Sequence, residues 1–426
     1  MERLHAQFAA SEPTSNVATQ QKMTDAGDRS VLAGKRILVI VENLPAPFDR
    51  RVWQESLALT AAGAEVTVIC PKGKGYEADH EIIEGVSVYR HSLPPDGDSA
   101  VGYLKEYASA LFHETRLAWS VFFERGFDAI HACNPPDLIF LVAAPFKLLG
   151  KKFVFDHHDI NPELYEAKFG RRDFFWRLLV IFERLTFRAA DVVISTNDSY
   201  RKIAIERGGK SSDRVFVVRS GPDLRRIRIS PIDPKWRNGR RFLVGFVGVI
   251  GEQEGIDLLL ASVQHLVGDL KRDDIQFVLV GDGPSRKPME ALSSEMGLRK
   301  FVTFLGRVPD EQLFSVLSSA DVCVNPDRVN PMNTLSTMNK ILEYMAMKKP
   351  IVQYDVIEGR VSAGGASLYA KANDPVDFAE KIVELLADPE KRKQAGEIGR
   401  KRIENELSWS HQIPKLIAAY STVFAP

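Results

Sequence analysis

The sequence predicts an α/β protein of two consecutive Rossmann-like domains, each built on a doubly wound, mainly parallel β-sheet. Three observations support this prediction. The chain has 426 residues, a length that favours two domains over one. Short, almost wholly apolar β-type segments alternate with segments of helical periodicity, as in a parallel sheet covered by helices on both faces. This series occurs twice, with a polar break between its two halves.

The first series, residues 35–222, begins with the apolar segment 36–41, which is typical of a strand buried on both faces. A helix is predicted over 51–62 and ends at Gly63. Further strands are predicted at 65–70, 86–91, 128–132, 152–156, 191–195 and 214–219. Residues 1–34 are rich in Ala, Ser, Thr, Gln and Asp, and we predict that they form a disordered N-terminal segment.

The break at 223–241 contains Pro231, Pro234 and Gly239 and lacks apolar periodicity, so we interpret it as the interdomain linker. The second domain, residues 242–408, has predicted strands at 242–247, 276–280, 301–305, 321–325 and 350–354. Its predicted helices lie at 256–270, 286–296, 310–319, 336–347 and 376–386. The final segment, 409–426, is an amphipathic helix with no strand after it, and we expect it to pack back onto the first domain.

The composition excludes several classes of protein. Lys plus Arg and Asp plus Glu both total 56, so no global charge favours nucleic acid. The three cysteines Cys70, Cys133 and Cys323 are far apart in apolar segments, which fits neither a disulfide framework nor a metal site. No apolar run reaches the length of a membrane span, and the N-terminus lacks the apolar core of a signal peptide. We therefore expect a cytoplasmic protein.

Doubly wound sheets bind ligands beyond the carboxyl ends of their strands, so polar residues at those positions are the candidate site. No G-x-G-x-x-G motif follows the first strand, which argues against a nicotinamide or flavin cofactor there. Asp49 and Arg50 could instead meet a sugar hydroxyl or phosphate, or mark a capped helix start. Asn134, His157 and His158 follow later strands. The histidines could serve an acceptor near neutral pH or form structural hydrogen bonds, and further ligands for a metal are lacking.

Glycines mark three strand ends in the second domain. Glycine lets a ligand approach the backbone, and a following helix N-terminus favours phosphate. Tight turns explain each strand end singly, whereas all three together favour a donor-binding edge. The residues concerned are Gly248 and Gly251, Gly281 and Gly283, and the segment 304–309 with Val308.

The segment 336–346 carries the sharpest pattern. On one helix, Ser336, Lys340 and Glu343 would share a face at i, i+4 and i+7. Lys340 would then neutralise a diphosphate beside the helix N-terminus near Ser336 and Thr337, and Glu343 would bind ribose hydroxyls. The alternative is a solvent-facing Lys–Glu pair.

The order of these motifs resembles the retaining glycosyltransferases of family 4, which have the two-lobed GT-B fold. The resemblance runs from Arg36 to the C-terminus and rests on 248–251, 280–284, 304–306, 321–326 and 342–352. Residues 48–53, 157–158 and 336–340 look like a subgroup from bacterial exopolysaccharide and O-antigen clusters. The resemblance implies two domains facing a cleft, with the C-terminal helix crossing back to the first.

The resemblance also assigns residue roles. Glu343 matches the last Glu of the family's Glu-x7-Glu motif, which contacts the donor ribose, whereas Leu335 replaces the first. The acidic residues Glu252 and Glu254 stand where the family has phosphate-binding Arg and Lys. We therefore expect Lys340, with the backbone of Ser336 and Thr337, to take over the diphosphate.

The resemblance implies transfer of a sugar from a nucleotide-diphosphate sugar to a glycan or polyprenyl-linked acceptor, with retention and without metal or other cofactor. Lys340 would stabilise the leaving diphosphate, and His157 or His158 would orient the acceptor or touch the sugar. Asp49, Arg50 and Asn134 would meet the acceptor or the sugar. Nucleic acid is not an expected partner.

Three alternatives stay open at this point. A sugar-nucleotide epimerase shares the fold, and a glycan phosphorylase would need a pyridoxal phosphate lysine. A non-catalytic partner protein is the third, because Leu335 and Glu254 replace expected functional residues. Separately, the basic and aromatic stretch 171–188 could lie on an anionic membrane at the inner face of the plasma membrane, or pack on its own sheet.

Overall fold

Two parallel sheets organise the chain in the computed structural model, which describes residues 32–92 and 100–425. The first sheet has the strand order β3-β4-β2-β1-β5-β6-β7-β8. Its neighbours are parallel except β3, which is antiparallel to β4. The strands are β1 Arg36–Ile40, β2 Glu65–Pro71, β3 His80–Ile83, β4 Val86–His91, β5 Ala129–Cys133, β6 Lys152–His157, β7 Val192–Ser195 and β8 Val215–Val217.

The helices of the first lobe connect these strands. The first begins at its cap Asp49, whose carboxylate accepts from the amide of Val52 at 3.0 Å. The helices are α1 Arg50–Ala61, α2 Ala100–Glu124, α3 Phe140–Leu148, α4 Asn161–Phe169, α5 Phe174–Ala189 and α6 Asp198–Glu206.

The second sheet has the order β11-β10-β9-β12-β13-β14, with every neighbouring pair parallel. Its strands are β9 Phe242–Val247, β10 Ile275–Val280, β11 Val302–Gly306, β12 Val322–Asn325, β13 Ile351–Tyr354 and β14 Ser367–Ala370. Its helices are α7 Ile256–Gly268, α8 Arg286–Glu295, α9 Asp310–Ser319, α10 Pro331–Leu335, α11 Asn339–Ala346, α12 Ile357–Ala363, α13 Pro375–Ala387 and α14 Pro389–Arg402. The predicted fold class is confirmed.

The C-terminal helix α15, Trp409–Phe424, returns to the first lobe. Trp409, Leu416 and Tyr420 are buried in the same core cluster as β1 and α1. The two lobes are therefore joined both by the linker and by this helix.

The predicted interdomain linker and the end of the predicted disordered N-terminal segment both pack against the folded lobes. In the predicted linker, the amides of Ser230 and Asp233 donate to Ser318 and Ser319 on α9, so the segment is docked along the second lobe. We predicted disorder for residues 1–34, and of these residues 1–31 lie outside the described part of the chain. Leu32 is buried, so ordered packing begins before β1.

Each sheet reverses its strand order at one point, and ligands bind in the crevice beyond the carboxyl ends of the strands there. In the first sheet this point lies at β1, between β2 and β5, and in the second at β9, between β10 and β12. The loops that follow β1, β5, β9 and β12 are therefore the structural candidates for the site.

Candidate active site

Lys340 lies at the reversal point of the second sheet. Its Nζ is 2.6 Å from Oδ1 of Asp327, which follows β12, and both side chains are largely buried. A Cβ on Gly248, just after β9, would lie only 3.1 Å from Lys340 Cε, so glycine leaves room for the lysine there. Burial raises the pKa of Asp327, and Lys340 opposes that shift. The cation that we predicted for a diphosphate therefore has an internal carboxylate as its partner.

Glu343 lies one turn further along α11 and faces the first lobe. Its Oε1 accepts a hydrogen bond from Nη1 of Arg50 at 2.9 Å. Arg226 and Arg50 also both contact Asp310, at 2.8 Å and 3.5 Å. Burial raises the pKa of Glu343, with Arg50 and Arg226 opposing. The N-terminus of α1 in the first lobe and α11 in the second lobe are thus joined by an ion pair across the cleft.

The predicted helix 336–347 is wrong at its start. The chain forms the short α10, leaves the helix at Ser336 with extended dihedrals, and resumes only at Asn339. The reason is a contact with the first lobe. Asn197 donates to the carbonyl of Leu335 at 2.9 Å and to Thr337 Oγ1 at 3.1 Å. Ser336 Oγ is 2.9 Å from the hydroxyl of Tyr200.

This break corrects the predicted face of Ser336, Lys340 and Glu343. Only Lys340 and Glu343 share a helix, three residues apart. Ser336 and Thr337 belong to an interlobe hydrogen-bond network, and their hydroxyls are occupied there. Backbone contact with a donor through this segment stays a prediction.

The same network contains a buried carboxylate that the sequence analysis missed. Glu358 on α12 accepts from Ser199 Oγ at 2.6 Å and lies 3.5 Å from Arg219. Its helix was not predicted, and its partners are Ser199 and Arg219 of the first lobe together with Thr337 of its own lobe. No local sequence signal could identify it.

The glycines of the second lobe have mixed roles. A Cβ on Gly281 would lie 1.7 Å from the carbonyl oxygen of Gly248, and one on Gly283 would lie 2.6 Å from that of Ile250. Close packing of two loops therefore requires both glycines. Gly248 and Gly281 also donate their amides within the sheet, to Val280 and Gly306. These two amides are therefore already bonded, and the approach of a donor to the glycine backbone stays a prediction.

Two further predicted donor contacts have internal partners. The amide of Gly251 donates to Oε2 of Glu254 at 3.1 Å, so a carboxylate occupies the position expected for a phosphate oxygen. Burial raises the pKa of Glu254. Val308 is partly buried against the second-lobe core, so packing accounts for it.

The side chain of Asn134 joins two loops by hydrogen bonds and is not placed to contact a ligand. Its amide nitrogen donates to Asp137 Oδ1 at 2.8 Å and to the carbonyl of Asp159 at 2.7 Å. Its oxygen accepts from the amides of His158 and Asp159 at 2.8 Å and 3.1 Å. Because Asn134 is buried and these bonds use its amide group fully, the predicted contact with sugar or acceptor is corrected.

His157 is also removed from the candidate ligand contacts. Its ring is fully buried, with centroids 5.0 Å and 5.1 Å from those of Phe187 and Tyr200. Its Nε2 is 3.7 Å from Glu183, which pairs with Arg207 at 2.6 Å. The role that we predicted for either histidine therefore stays a prediction for His158 alone, which retains 16% exposure of its side chain.

Two groups of side chains are close enough to share a metal ion, namely His131 with Cys133 and Asp156, and Glu55 with Asp156 and His158. However, the guanidinium of Arg51 already lies 2.8 Å from Asp156 and 3.1 Å from Glu55. A metal there would stand beside an existing cation. The donor set is therefore a poor fit to a metal.

Among the described residues, no helix combines the length and apolarity that a bilayer crossing requires.

Two family profiles match the chain. One is described as Glycosyl transferases group 1 and matches residues 241–388, and the other as Glycosyltransferase Family 4 and matches residues 49–226. Alpha-maltose-1-phosphate synthase of Mycolicibacterium smegmatis is 29% identical over 267 residues, covering 57% of this chain and 66% of that protein. The chain spans about half the length of the curated relatives it matches.

Solved structures share the architecture at low identity. Sucrose-phosphate synthase from Thermosynechococcus elongatus has a TM-score of 0.76 at 20% identity and covers 92% of this chain and 99% of that chain. Anabaena HepE in complex with UDP-glucose has a TM-score of 0.68 at 16% identity and covers 91% and 99%. These structures show the GT-B fold. The two profiles, one on each lobe, show that the chain belongs to the family 4 glycosyltransferases.

Proposed function

We propose that the chain is a retaining glycosyltransferase that moves a sugar from a nucleotide-diphosphate sugar to a hydroxyl of a glycan or polyprenyl-linked acceptor. The observation that carries this proposal is the placement of Lys340 and Glu343 three residues apart on α11, beside the reversal point of the second sheet. A buried cation and a carboxylate at this spacing suit a diphosphate and a ribose. The role in bacterial surface polysaccharide synthesis rests on the sequence resemblance of residues 48–53, 157–158 and 336–340.

In the proposed reaction, the bond between the anomeric carbon and the diphosphate breaks, and a bond from the acceptor oxygen forms on the same face. The acceptor proton passes to an oxygen of the leaving diphosphate. Lys340 stabilises the negative charge that develops on the diphosphate, so no metal or other cofactor is required. His158 hydrogen-bonds to the acceptor or the sugar from the first lobe.

Donor binding must rearrange the internal ion pairs. The diphosphate competes with Asp327 for Lys340 and with Glu254 for the Gly251 amide. The ribose competes with Arg50 for Glu343. The polar groups that we assign to donor binding are thus bonded to other groups of the protein.

A thermal-shift panel of UDP-, GDP- and dTDP-sugars tests the donor class, because a ligand at 100 times its Kd adds about 2.7 kcal/mol of stability. We expect one nucleotide family to raise the melting temperature, with release of that nucleotide on incubation. Conversion of the donor sugar without nucleotide release would identify an epimerase. No shift and no turnover with any donor would support a non-catalytic partner.

We further propose that α5 and the turn before it rest on an anionic membrane. The face of α5 that carries Val180, Glu183 and Phe187 is buried against the first lobe. The exposed side chains between residues 171 and 189 are five arginines and four apolar residues, with no acid among them. They are Arg171, Arg172, Phe174, Phe175, Arg177, Ile181, Arg184, Leu185 and Arg188. Arginine beside exposed aromatic rings suits anionic headgroups over an apolar interior.

Sedimentation with phosphatidylglycerol vesicles tests this surface, with phosphatidylcholine vesicles as the comparison. We expect binding to the anionic vesicles, and its loss on replacing both Phe174 and Phe175 by serine. Ile398→Ser, at an exposed residue of the second lobe, is the matched control and should leave binding unchanged. Equal binding by the serine variant would exclude this face as the docking surface.

A further inference from the structure

A chain of buried polar groups connects the C-terminal helix to His158. The hydroxyl of Tyr420 on α15 is 2.9 Å from Nδ1 of His131 on β5. Nε2 of His131 is 3.4 Å from Oδ2 of Asp156 on β6. The same Oδ2 lies 2.5 Å from Nε2 of His158. Tyr420, His131 and Asp156 are fully buried, and His158 is the partly exposed end of this chain.

The contacts of Arg51 determine which of its two neighbouring acids, Asp156 or Glu55, is ionised. Its guanidinium contacts both Asp156 and Glu55. Burial alone would raise the pKa of Asp156, yet Arg51 and His158 hold it well below its ordinary value. The pKa of Glu55 is raised well above its ordinary value by burial and by Asp156, against the effect of Arg51. Two donors of Arg51 bind the Asp156 carboxylate, at 2.8 Å and 3.1 Å, so Asp156 is the anion of the pair, whereas Glu55 keeps its proton to a higher pH than an ordinary glutamate.

The charge of Asp156 dictates where the imidazole protons lie. An ionised carboxylate only accepts hydrogen bonds, so Nε2 of His158 must carry the proton in their 2.5 Å contact. Nε2 of His131 likewise faces Asp156, so its Nδ1 accepts from the Tyr420 hydroxyl. Burial raises the pKa of Tyr420 well above its ordinary value, so that hydroxyl remains a donor. Nε of Arg51 lies 2.9 Å from Nε2 of His158 and 3.1 Å from Oδ2 of Asp156. The 2.5 Å contact between Nε2 and the carboxylate oxygen requires a proton between them, so the Arg51 Nε–H donates to Asp156 rather than to the ring.

The backbone of His158 is held as firmly as its ring. Its amide donates to Oδ1 of Asn134 at 2.8 Å, and the Asn134 amide nitrogen is held by Asp137 and the carbonyl of Asp159. Side chain and backbone are thus fixed from two strand ends, β5 and β6. Such support is what positions a group that must meet a substrate in one orientation.

We propose that Asp156 is the positioning residue for His158, and that it holds the ring with Nε2 protonated and Nδ1 free to accept a hydrogen bond from a sugar or acceptor hydroxyl. This inference rests on the proposed function only in taking His158 as the first-lobe group that meets the substrate. A hydroxyl-accepting Nδ1 would orient the acceptor oxygen toward the anomeric carbon. It would not need to take the proton, which the leaving diphosphate receives.

Long-range ¹H–¹⁵N NMR of the full chain labelled with ¹⁵N-histidine tests the proton arrangement directly. His158→Gln assigns the signal by its disappearance. We expect wild-type His158 as the Nε2–H tautomer, and in Asp156→Asn a mixture of tautomers or the Nδ1–H form. Glu55→Gln is the matched control, because it copies the neutral acid beside the same Arg51 and should leave the His158 signals in place. An Nδ1–H tautomer in the wild type overturns the inference, even where Asp156→Asn fails to fold.

A double-mutant cycle on donor turnover tests whether the positioning matters. The probe is the nucleotide sugar that gives the largest thermal shift, and the variants are Asp156→Asn, His158→Ala and both together. We expect Asp156→Asn to lower kcat by about tenfold or more, because a displacement of about 1 Å in a positioned group can cost about 10²-fold. The Kd of the nucleotide should stay unchanged, and in the His158→Ala background the substitution should have no further effect.

The outcomes separate this inference from the proposed function. An equal loss of kcat in the His158→Ala background would show that Asp156 acts through general structure, which overturns the inference. A wild-type chain without turnover of any donor would contradict the proposed function. In that case the His158 tautomer measured by NMR would still show whether Asp156 holds the ring with Nε2 protonated.

Discussion

Arg50 of the first lobe donates to Glu343 of the second across the cleft, with 2.9 Å between Nη1 and Oε1. The carboxylate that we assign to the donor ribose is therefore already bound by an arginine from the other lobe. Arg50 keeps 53% of its side chain exposed, whereas Glu343 keeps 19%. The contact has the strength of a half-exposed ion pair, so a nucleotide can displace it.

Arg50→Met should strengthen nucleotide binding by roughly two- to fivefold, because an exposed ion pair contributes about 0.2–1 kcal/mol that the ribose must overcome. Isothermal titration calorimetry with UDP and GDP measures this change. Arg225→Met is the matched control, since Arg225 pairs with Asp223 rather than with a residue of the second lobe. Weaker binding by Arg50→Met would show instead that Arg50 contacts the nucleotide itself.

Glu343→Ala should remove discrimination between ribose and deoxyribose. A site that hydrogen-bonds a ribose diol rejects the 2′-deoxy analogue, because its polar group is then left without a partner. We expect the wild type to prefer the ribonucleotide by about tenfold and the variant to bind both equally. Glu311→Ala on α9 is the control. A preference that survives in Glu343→Ala would place the ribose elsewhere.

Binding of a nucleotide sugar should weaken as the pH rises. Burial raises the pKa of Glu254 and of Asp327, so both lose their protons above the ordinary range of carboxyl groups. Each new negative charge then repels the diphosphate and competes for Lys340 or the Gly251 amide. Glu254→Gln and Asp327→Asn should each bind the donor more tightly than the wild type and flatten the pH profile. The profile is measured in the Glu343→Gln background, because ionisation of Glu343, whose pKa burial also raises, would strengthen ribose binding as the pH rises. An affinity that rises with pH in that background would contradict this account.

Asp137→Asn should change how stability depends on pH. Burial, reinforced by Glu183, raises the pKa of Asp137 to about 7. Because the folded-state value exceeds the unfolded one, the stabilisation is complete below the ordinary value of 3.8 and is lost as the pH rises through about 7.

The free energy of unfolding of Asp137→Asn, relative to the wild type, should therefore increase by roughly 3 kcal/mol between pH 5 and pH 8. Urea denaturation at the two pH values measures it. A constant difference between the two proteins would show that Asp137 does not ionise in this range.

The strands could be predicted from sequence where both faces are buried. Segments such as 36–41 and 276–280 are apolar throughout, so their pattern needs no knowledge of neighbours. The strands β3 and β14 were missed because they contain no apolar run. None of the side chains of β3 is buried, and half of those of β14 remain partly accessible. Helical periodicity over 336–347 was real from Asn339 onward. The predicted first turn does not form, because Leu335 and Ser336 make hydrogen bonds with Asn197 and Tyr200 of the first lobe instead. No local sequence pattern predicts these contacts.

The candidate site was predicted only in part for the same reason. Lys340 and Glu343 are close in sequence, so spacing on one helix could place them together. Their partners Asp327 and Arg50 come from other loops, and only the folded sheets bring them near. Asp156 did carry a signal, since a carboxylate at the end of an apolar strand must have a buried partner. Sequence alone could not say that this partner is Arg51.

The most direct test of the central claim is the affinity of Lys340→Met for the nucleotide identified by thermal shift, measured by calorimetry against Lys348→Met. Lys348 lies just past the end of α11 and is exposed, so it controls for the loss of one positive charge. We expect Lys340→Met to bind at least about tenfold more weakly, near the 1.4 kcal/mol of one charge-assisted hydrogen bond, and Lys348→Met to bind as the wild type. Equal affinity of Lys340→Met and the wild type would contradict the assignment of α11 to the donor diphosphate.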